Sequence, residues 1–251
     1  MPRFKRGKNL AKWNSNRAEA GHGKLRIVGG SFRGRLIDYS GDPVTRPMKD
    51  HTREAVFNLV GGWVKGKTVF DLFAGTGAMG LEALSRGASK CIFVERHFPT
   101  VRIIRENVLS LDPDLPVDVN SSDTFFWVRQ FLKNPEMWPS EPWVVFCCPP
   151  YALYVEKPLE IVEMMEGLIN IAPPESVFVV ESDSRFDPEL LPEPRSWFVR
   201  KYSPALVVVR RERASGSIDL LDETSKNCPA LREIPRSDGR CRPRLYFGFL
   251  A

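Results

Sequence analysis

The 251-residue chain is 43% hydrophobic and 27% charged, the balance of a soluble globular protein able to bury a full core, as one domain with appendages or two small ones. No apolar run approaches the ~20 residues of a membrane span and no hydrophobic leader opens the sequence, so a membrane or secreted location is not expected and a cytoplasmic monomer is. Five cysteines, odd in number and without C-x-x-C spacing, speak against a disulfide frame and against a metal site.

The net charge of +5 is unevenly placed. Residues 1–35 hold ten Lys/Arg against the single acid Glu19, or +9, which leaves the remainder at −4 (5 minus 9). Charge gathered in this way is expected of a protein that meets polyphosphate; a solvated tail or an organelle transit peptide is the alternative. Residues 1–23 lack apolar periodicity and read as a disordered basic arm. Leu25 to Val28, the Gly29-Gly30 pair and Ser31 to Ile37 predict a small hairpin within 24–44. It carries Arg26, Arg33 and Arg35, candidate contacts to RNA phosphates. Gly41-Asp42-Pro43 is a break, and Thr45-Arg46-Pro47 opens a helix with Thr45 as its cap. Its apolar stripe is Ala55, Val56, Leu59, Val60 and Trp63, with Lys49 and Arg53 on another face; Arg46 and Arg53 join the candidate RNA contacts.

Lys67 to Phe70 then read as a buried strand that empties into Asp71-Leu72-Phe73-Ala74-Gly75-Thr76-Gly77-Ala78-Met79-Gly80. Met79, Leu81, Ala83 and Leu84 continue at helical spacing until Arg86-Gly87. Strand, glycine loop and helix form the front half of a cofactor-binding βαβ unit, and Gly75 to Gly80 satisfies the dinucleotide pattern G-x-G-x-x-G. Two acids change its meaning. Asp71, inside the turn, would repel a pyrophosphate but suits a cationic amino group, and Glu95, closing the strand Lys90 to Glu95, can accept both hydroxyls of a ribose. An acid for an ammonium and an acid for a ribose describe S-adenosylmethionine better than NAD.

Val101, Ile104, Val108 and Leu111 mark the next helix, and Pro116 to Val119 a short third strand. Ser121-Ser122-Asp123 caps a helix through Phe125, Phe126, Val128, Phe131 and Leu132. Asp123 serves there as N-cap and also as a candidate acceptor for the adenine amino group. The candidate cofactor set is therefore Asp71, Phe73, Gly75, Gly77, Glu95, Asp123 and Thr124. Trp143 to Cys147 is an unbroken apolar run, hence a central strand, and it ends in Cys148-Pro149-Pro150-Tyr151, whose prolines stop the ladder and free its carbonyls. An amphipathic helix (Leu159, Val162, Met165, Leu168, Ile169), a strand Val177 to Glu181 and a terminal hairpin, Trp197 to Val199 with Ala205 to Val209, follow. Residues 212–251 read as a mostly unstructured tail with an aromatic end at 245–250.

Arg26-Ile27-Val28-Gly29-Gly30, Arg33-Gly34-Arg35, Thr45-Arg46-Pro47, Arg53 to Asn58 and Asp71 to Ala88 together resemble the RsmD family, bacterial small-subunit ribosomal RNA guanine-N2 methyltransferases. The resemblance covers roughly residues 24–211. It implies an α/β fold, the class I S-adenosylmethionine-dependent methyltransferase (Rossmann-like) sheet of seven mostly parallel strands with an antiparallel last one. It also implies ribosomal RNA or the small subunit as partner. The family places Asp or Asn before Pro-Pro-Tyr, and this chain has Cys148. In such enzymes that polar side chain and the following proline carbonyl accept the target amine's hydrogens while the tyrosine stacks on the base. The resemblance thus names Cys148, Pro149 and Tyr151 as the catalytic positions. A thiol is a weak acceptor, so an RNA-binding homologue with weakened or lost turnover is the alternative, and pyrimidine C5 methylation through Cys147 or Cys148 a third.

Overall fold

The computed structural model describes residues 23–40 and 47–211. The basic arm up to residue 22, Thr45 and Arg46, and the tail after 211 with its aromatic end lie outside the described residues.

The described part begins with an antiparallel hairpin, β1 (Gly23–Arg26) and β2 (Leu36–Tyr39), in the register Leu25↔Ile37. Its connection is not a tight Gly29-Gly30 turn. Residues 27–35 form a longer loop, held by Ile27 N–H on Arg35 O (2.9 Å) and Gly34 N–H on Ile27 O (2.8 Å). Helix α1 (Asp50–Val60) starts later than the Thr45 cap predicts, with Lys49 at the N-cap position and no side-chain cap. Pro47 therefore precedes the helix, and Asp50 in the first turn complements its positive end.

Thereafter strand and helix alternate: β3 (Thr68–Asp71), α2 (Ala78–Ser85), β4 (Lys90–Glu95), α3 (Phe98–Leu111), β5 (Val117–Ser121), α4 (Thr124–Lys133) and β6 (Trp143–Cys147). The one-turn α5 (Leu153–Glu156), α6 (Pro158–Ile171), β7 (Val177–Ser182), β8 (Phe198–Tyr202) and β9 (Ala205–Arg211) complete it. Seven strands make one sheet in the order β5-β4-β3-β6-β7-β9-β8, parallel from β5 to β7, with β9 antiparallel to β7 and β8 antiparallel to β9. This is the mostly parallel sheet that the resemblance implies. Among the described residues no helix is long and apolar enough to cross a membrane.

Helices cover both faces, which is why β3, β6 and β7 are apolar runs rather than alternating ones. On one face α1, α2 and α3 pack Phe57, Leu81 and Ile104 against Val69, Phe146 and Val179. On the other α4 and α6 pack Phe131, Ile161 and Met165 against Phe70, Val145 and Phe178. Between β3 and β6 the strand order reverses, and the crevice at the carboxy ends of those two strands is where open α/β sheets bind ligands.

Candidate functional site

The glycine loop fills one side of that crevice. Gly75 (φ 49°) and Gly77 (φ 74°) sit in the left-handed region, which lets the chain double back through Gly77 N–H on Ala74 O (2.7 Å) and enter α2 at once. Gly80 has another reason: a Cβ there would lie 2.2 Å from the Phe93 ring, so α2 can press on β4 only without one. The loop is braced from the neighbouring strand. Glu95 Oε2 accepts Gly75 N–H (2.8 Å) and Glu95 Oε1 accepts His97 N–H (2.7 Å). Each oxygen keeps a further lone pair, one for each hydroxyl of a vicinal diol. Asp123 caps α4 by accepting Phe126 N–H (3.0 Å) while remaining exposed, and Phe73 meets Phe125 edge-on at 5.8 Å.

Two expected cofactor contacts are placed differently. Asp71 is 1% exposed; it lies beneath the loop rather than on it, with Oδ2 accepting Gly80 N–H (2.9 Å) from the first turn of α2. Burial, above all, pushes its carboxyl up to about 7, the Gly80 N–H opposes this, and the charge of Glu95 adds to it. Asp71 forms no ion pair among the described residues, so this buried acid suits a cationic ligand, and the two oxygens of Glu95 suit a ribose. The donor set therefore fits S-adenosylmethionine. Thr124 does not offer its hydroxyl to a ligand: the residue is buried and Oγ1 donates to Leu72 O (2.5 Å), tying α4 to the end of β3.

Across the crevice β6 ends in the Pro-Pro turn, where Cys148 is half-buried and Pro149 buried. Cys147 is wholly buried on the α4–α6 face, whereas Cys148 packs toward the α1–α3 face. Burial and the nearby Glu181 and Asp71 carboxylates push the Cys148 thiol well above its ordinary range. Tyr151 is half-buried and its hydroxyl donates to Glu181 Oε1; Tyr154 donates to Glu181 O (2.8 Å). Glu181 is 7% exposed, and burial together with Asp183 raises its carboxyl to about 7, against the lowering bond from Tyr151. No sequence motif singles out Glu181. The signal was there: like Glu95 it is an acid that closes an apolar strand at the carboxy edge.

The hairpin arginines divide. Arg26 and Arg33 are exposed beside a depression of about 180 Å³ that Glu54 also lines, and Arg26 lies 3.7 Å from Asp50. Arg35 is exposed and donates to Ser110 O (2.7 Å) at the end of α3. Arg46 lies outside the described residues. Arg53 is not a surface contact at all. It is 0% exposed, paired with Asp50 (2.9 Å) and Glu82 (3.8 Å), and it donates to Arg26 O (2.5 Å) and Met48 O (3.3 Å). The buried Glu82 carboxylate needs that cation, and it also takes Arg86 (2.9 Å) and Val28 N–H (2.8 Å). Next to it, Ser85 Oγ donates to Gly29 O (2.5 Å) and accepts Phe32 N–H (2.9 Å), so the hairpin loop is clamped on the carboxy end of α2.

The family model described as conserved hypothetical protein 95 matches residues 25–203. The chain belongs to this family, the RsmD family. YlbH of Bacillus subtilis is 40% identical over 88 residues, 35% of this chain and 48% of that protein. Ribosomal RNA small subunit methyltransferase D of Escherichia coli is 32% identical over 132 residues, 53% of this chain and 63% of that one. The matches thus span about half to under two-thirds of these curated relatives. Among solved structures, the Escherichia coli protein yhhF superposes with a TM-score of 0.60 at 26% identity, covering 76% of this chain and 99% of that one. The Thermus thermophilus 16S rRNA N2 G1207 methyltransferase RsmC, solved with AdoMet and guanosine, shares the fold at 20% identity and a TM-score of 0.52, over 76% of this chain and 50% of that one.

Proposed function

We propose that the protein methylates the exocyclic N2 amine of a guanine in small-subunit ribosomal RNA, with S-adenosylmethionine as donor. One observation carries the reading: the Gly75–Gly77 cradle with Glu95, and the Cys148-Pro149-Pro150-Tyr151 turn, converge on the crevice between β3 and β6. Family membership and the names of the relatives support it.

When bound, the cofactor supplies an electrophilic methyl on a sulfonium. Glu95 holds the ribose through the lone pairs that Gly75 and His97 leave, and Asp123 meets the adenine amine beyond its cap bond. Asp71 acts from below the loop, where its charge favours a cationic ligand through a medium of low dielectric. The base stacks on Tyr151, whose ring is fixed by its hydroxyl on Glu181, and the Pro149 carbonyl accepts an N2 hydrogen. A guanine N2 is a poor nucleophile, so orientation and exclusion of water carry much of the rate. Arg26, Arg33 and Arg35 hold backbone phosphates, with Arg46 and the other basic residues of the +9 segment at residues 1–35 adding charge that draws RNA in.

The thiol at 148 favours a second reading, RNA binding without turnover. Pyrimidine C5 methylation is disfavoured, because Cys147 faces the core and the Cys148 thiolate is opposed by burial and two carboxylates. Incubation with labelled S-adenosylmethionine and undermethylated small subunits, followed by nucleoside analysis, separates these. Label in N2-methylguanosine is the expected result; label in a pyrimidine, or cofactor binding without transfer, overturns the proposal.

A further inference from the structure

Three adjacent strands end in side chains that share one face of the sheet. Val69, Phe146 and Val179 belong to the α1–α3 core, so two residues further on Asp71, Cys148 and Glu181 return to that face. Cys148 and Glu181 stand side by side, one residue beyond the Cys147↔Val180 pair, on strands about 4.8 Å apart. Glu181 is thus the neighbour of the position from which the family's Asp or Asn reaches the amine, and it is the acid nearest to it across the β6–β7 ladder.

The two oxygens of Glu181 are differently occupied. Oε1 accepts the Tyr151 hydroxyl, and Oε2 has no hydrogen-bond partner among the described residues. The groups around it are acidic or neutral: Cys148 on β6, Tyr151 in the turn, Tyr154 on α5, Asp183 beyond β7 and Asp71 across Cys148. Asp183 is itself held by Arg185 (2.7 Å), so that cation is already engaged. A carboxylate in such company is costly to bury, which a merely structural position would avoid with an amide or an apolar residue.

We infer that Glu181 supplies, from β7, the acceptor that Cys148 does not supply from β6: its Oε2 takes one N2 hydrogen of the guanine while Oε1 holds the Tyr151 ring. The inference rests on the proposed guanine-N2 reading and adds a catalytic residue to it. Glu181 stands one strand along the sheet from Cys148, beside the turn that carries Tyr151.

The test uses the full chain, with Glu181→Gln and the double variant Glu181→Gln/Cys148→Asp, which carries the carboxylate back to β6 at unchanged net charge. Three quantities are measured: Tm, the S-adenosylmethionine Kd by calorimetry, and kcat on undermethylated small subunits. Gln retains an oxygen for Tyr151 but turns an N–H₂ donor toward the amine. Glu181→Gln is expected to lower kcat at least ~30-fold with Kd within about twofold of wild type, and the double variant to recover at least ~10-fold, the scale of a charge-assisted hydrogen bond. Retention of more than about a third of the wild-type kcat by Glu181→Gln overturns the inference. So does a loss that Cys148→Asp leaves unrecovered, or one accompanied by a fall in Tm that the double variant shares, since a frame residue is not rescued from the next strand. A wild type that binds S-adenosylmethionine but methylates no guanine removes the underlying reading instead, and that result is visible before any variant is made.

Discussion

Arg53→Met distinguishes a buried frame from an RNA contact. Methionine keeps most of the stem volume and removes the guanidinium, so packing changes little and charge changes by one. What is lost is specific: bonds to Arg26 O (2.5 Å) and Met48 O (3.3 Å), the pair with Asp50 (2.9 Å), and the cation 3.8 Å from Glu82. Breaking one partner of a buried ion pair costs roughly 3–5 kcal/mol. Glu82 keeps Arg86 and the Val28 N–H, which sets the expectation at the lower end, about 3 kcal/mol. For a domain of this size that corresponds to a fall in Tm of about 6–12 °C by scanning calorimetry. RNA affinity measured well below the transition should keep the wild-type salt slope, because no exposed charge has gone. A variant whose Tm moves by less than about 2 °C while RNA binding drops tenfold would refute the burial argument.

Glu95→Ala should cost S-adenosylmethionine about 1–3 kcal/mol in calorimetry, since it removes the diol acceptor and the brace on Gly75 N–H; unchanged affinity sinks the ribose assignment. Burial raises the Asp71 carboxyl from 3.8 to about 7, so the folded chain keeps a proton that the unfolded chain has released. Its contribution to stability is whole below pH 3.8 and is lost as pH rises through about 7, and Asp71→Asn should flatten that decline in denaturant titrations; an unaltered slope contradicts it. Deleting residues 1–23 should weaken RNA binding and reduce its salt dependence without touching cofactor affinity, and an identical salt slope would mark the arm as irrelevant to RNA.

Local pattern made much of the fold legible. Apolar runs at 143–147 and 177–181 gave buried strands, and Asp123 did become the cap of α4, because both depend on neighbours in sequence. What was not legible depends on partners far along the chain. Arg53 reads as a surface residue until Glu82 is brought beneath it, and Thr124 reads as a ligand contact until Leu72 O arrives. The Gly29-Gly30 pair reads as a hairpin turn, whereas its meaning is close approach: at Gly30 (φ 76°) a Cβ would stand 1.9 Å from Ser85 O. Glu181 went unassigned because its significance lies in the strand next to it, and strand adjacency between β6 and β7 is a property of the sheet.

Helix α2 touches both halves of the molecule's work. Its first turn answers Asp71 under the glycine loop through Gly80 N–H, and its last residue, Ser85, clamps the hairpin loop that carries Arg33. Eight residues of α-helix make a rod about 12 Å long. On the proposed reading, the spacing between a phosphate held by Arg33 and the base beside Tyr151 is then a built-in ruler. Adding one residue to α2 would lengthen it by about 1.5 Å and swing the hairpin around its axis by about 100°, so RNA held at one end would miss the cradle at the other.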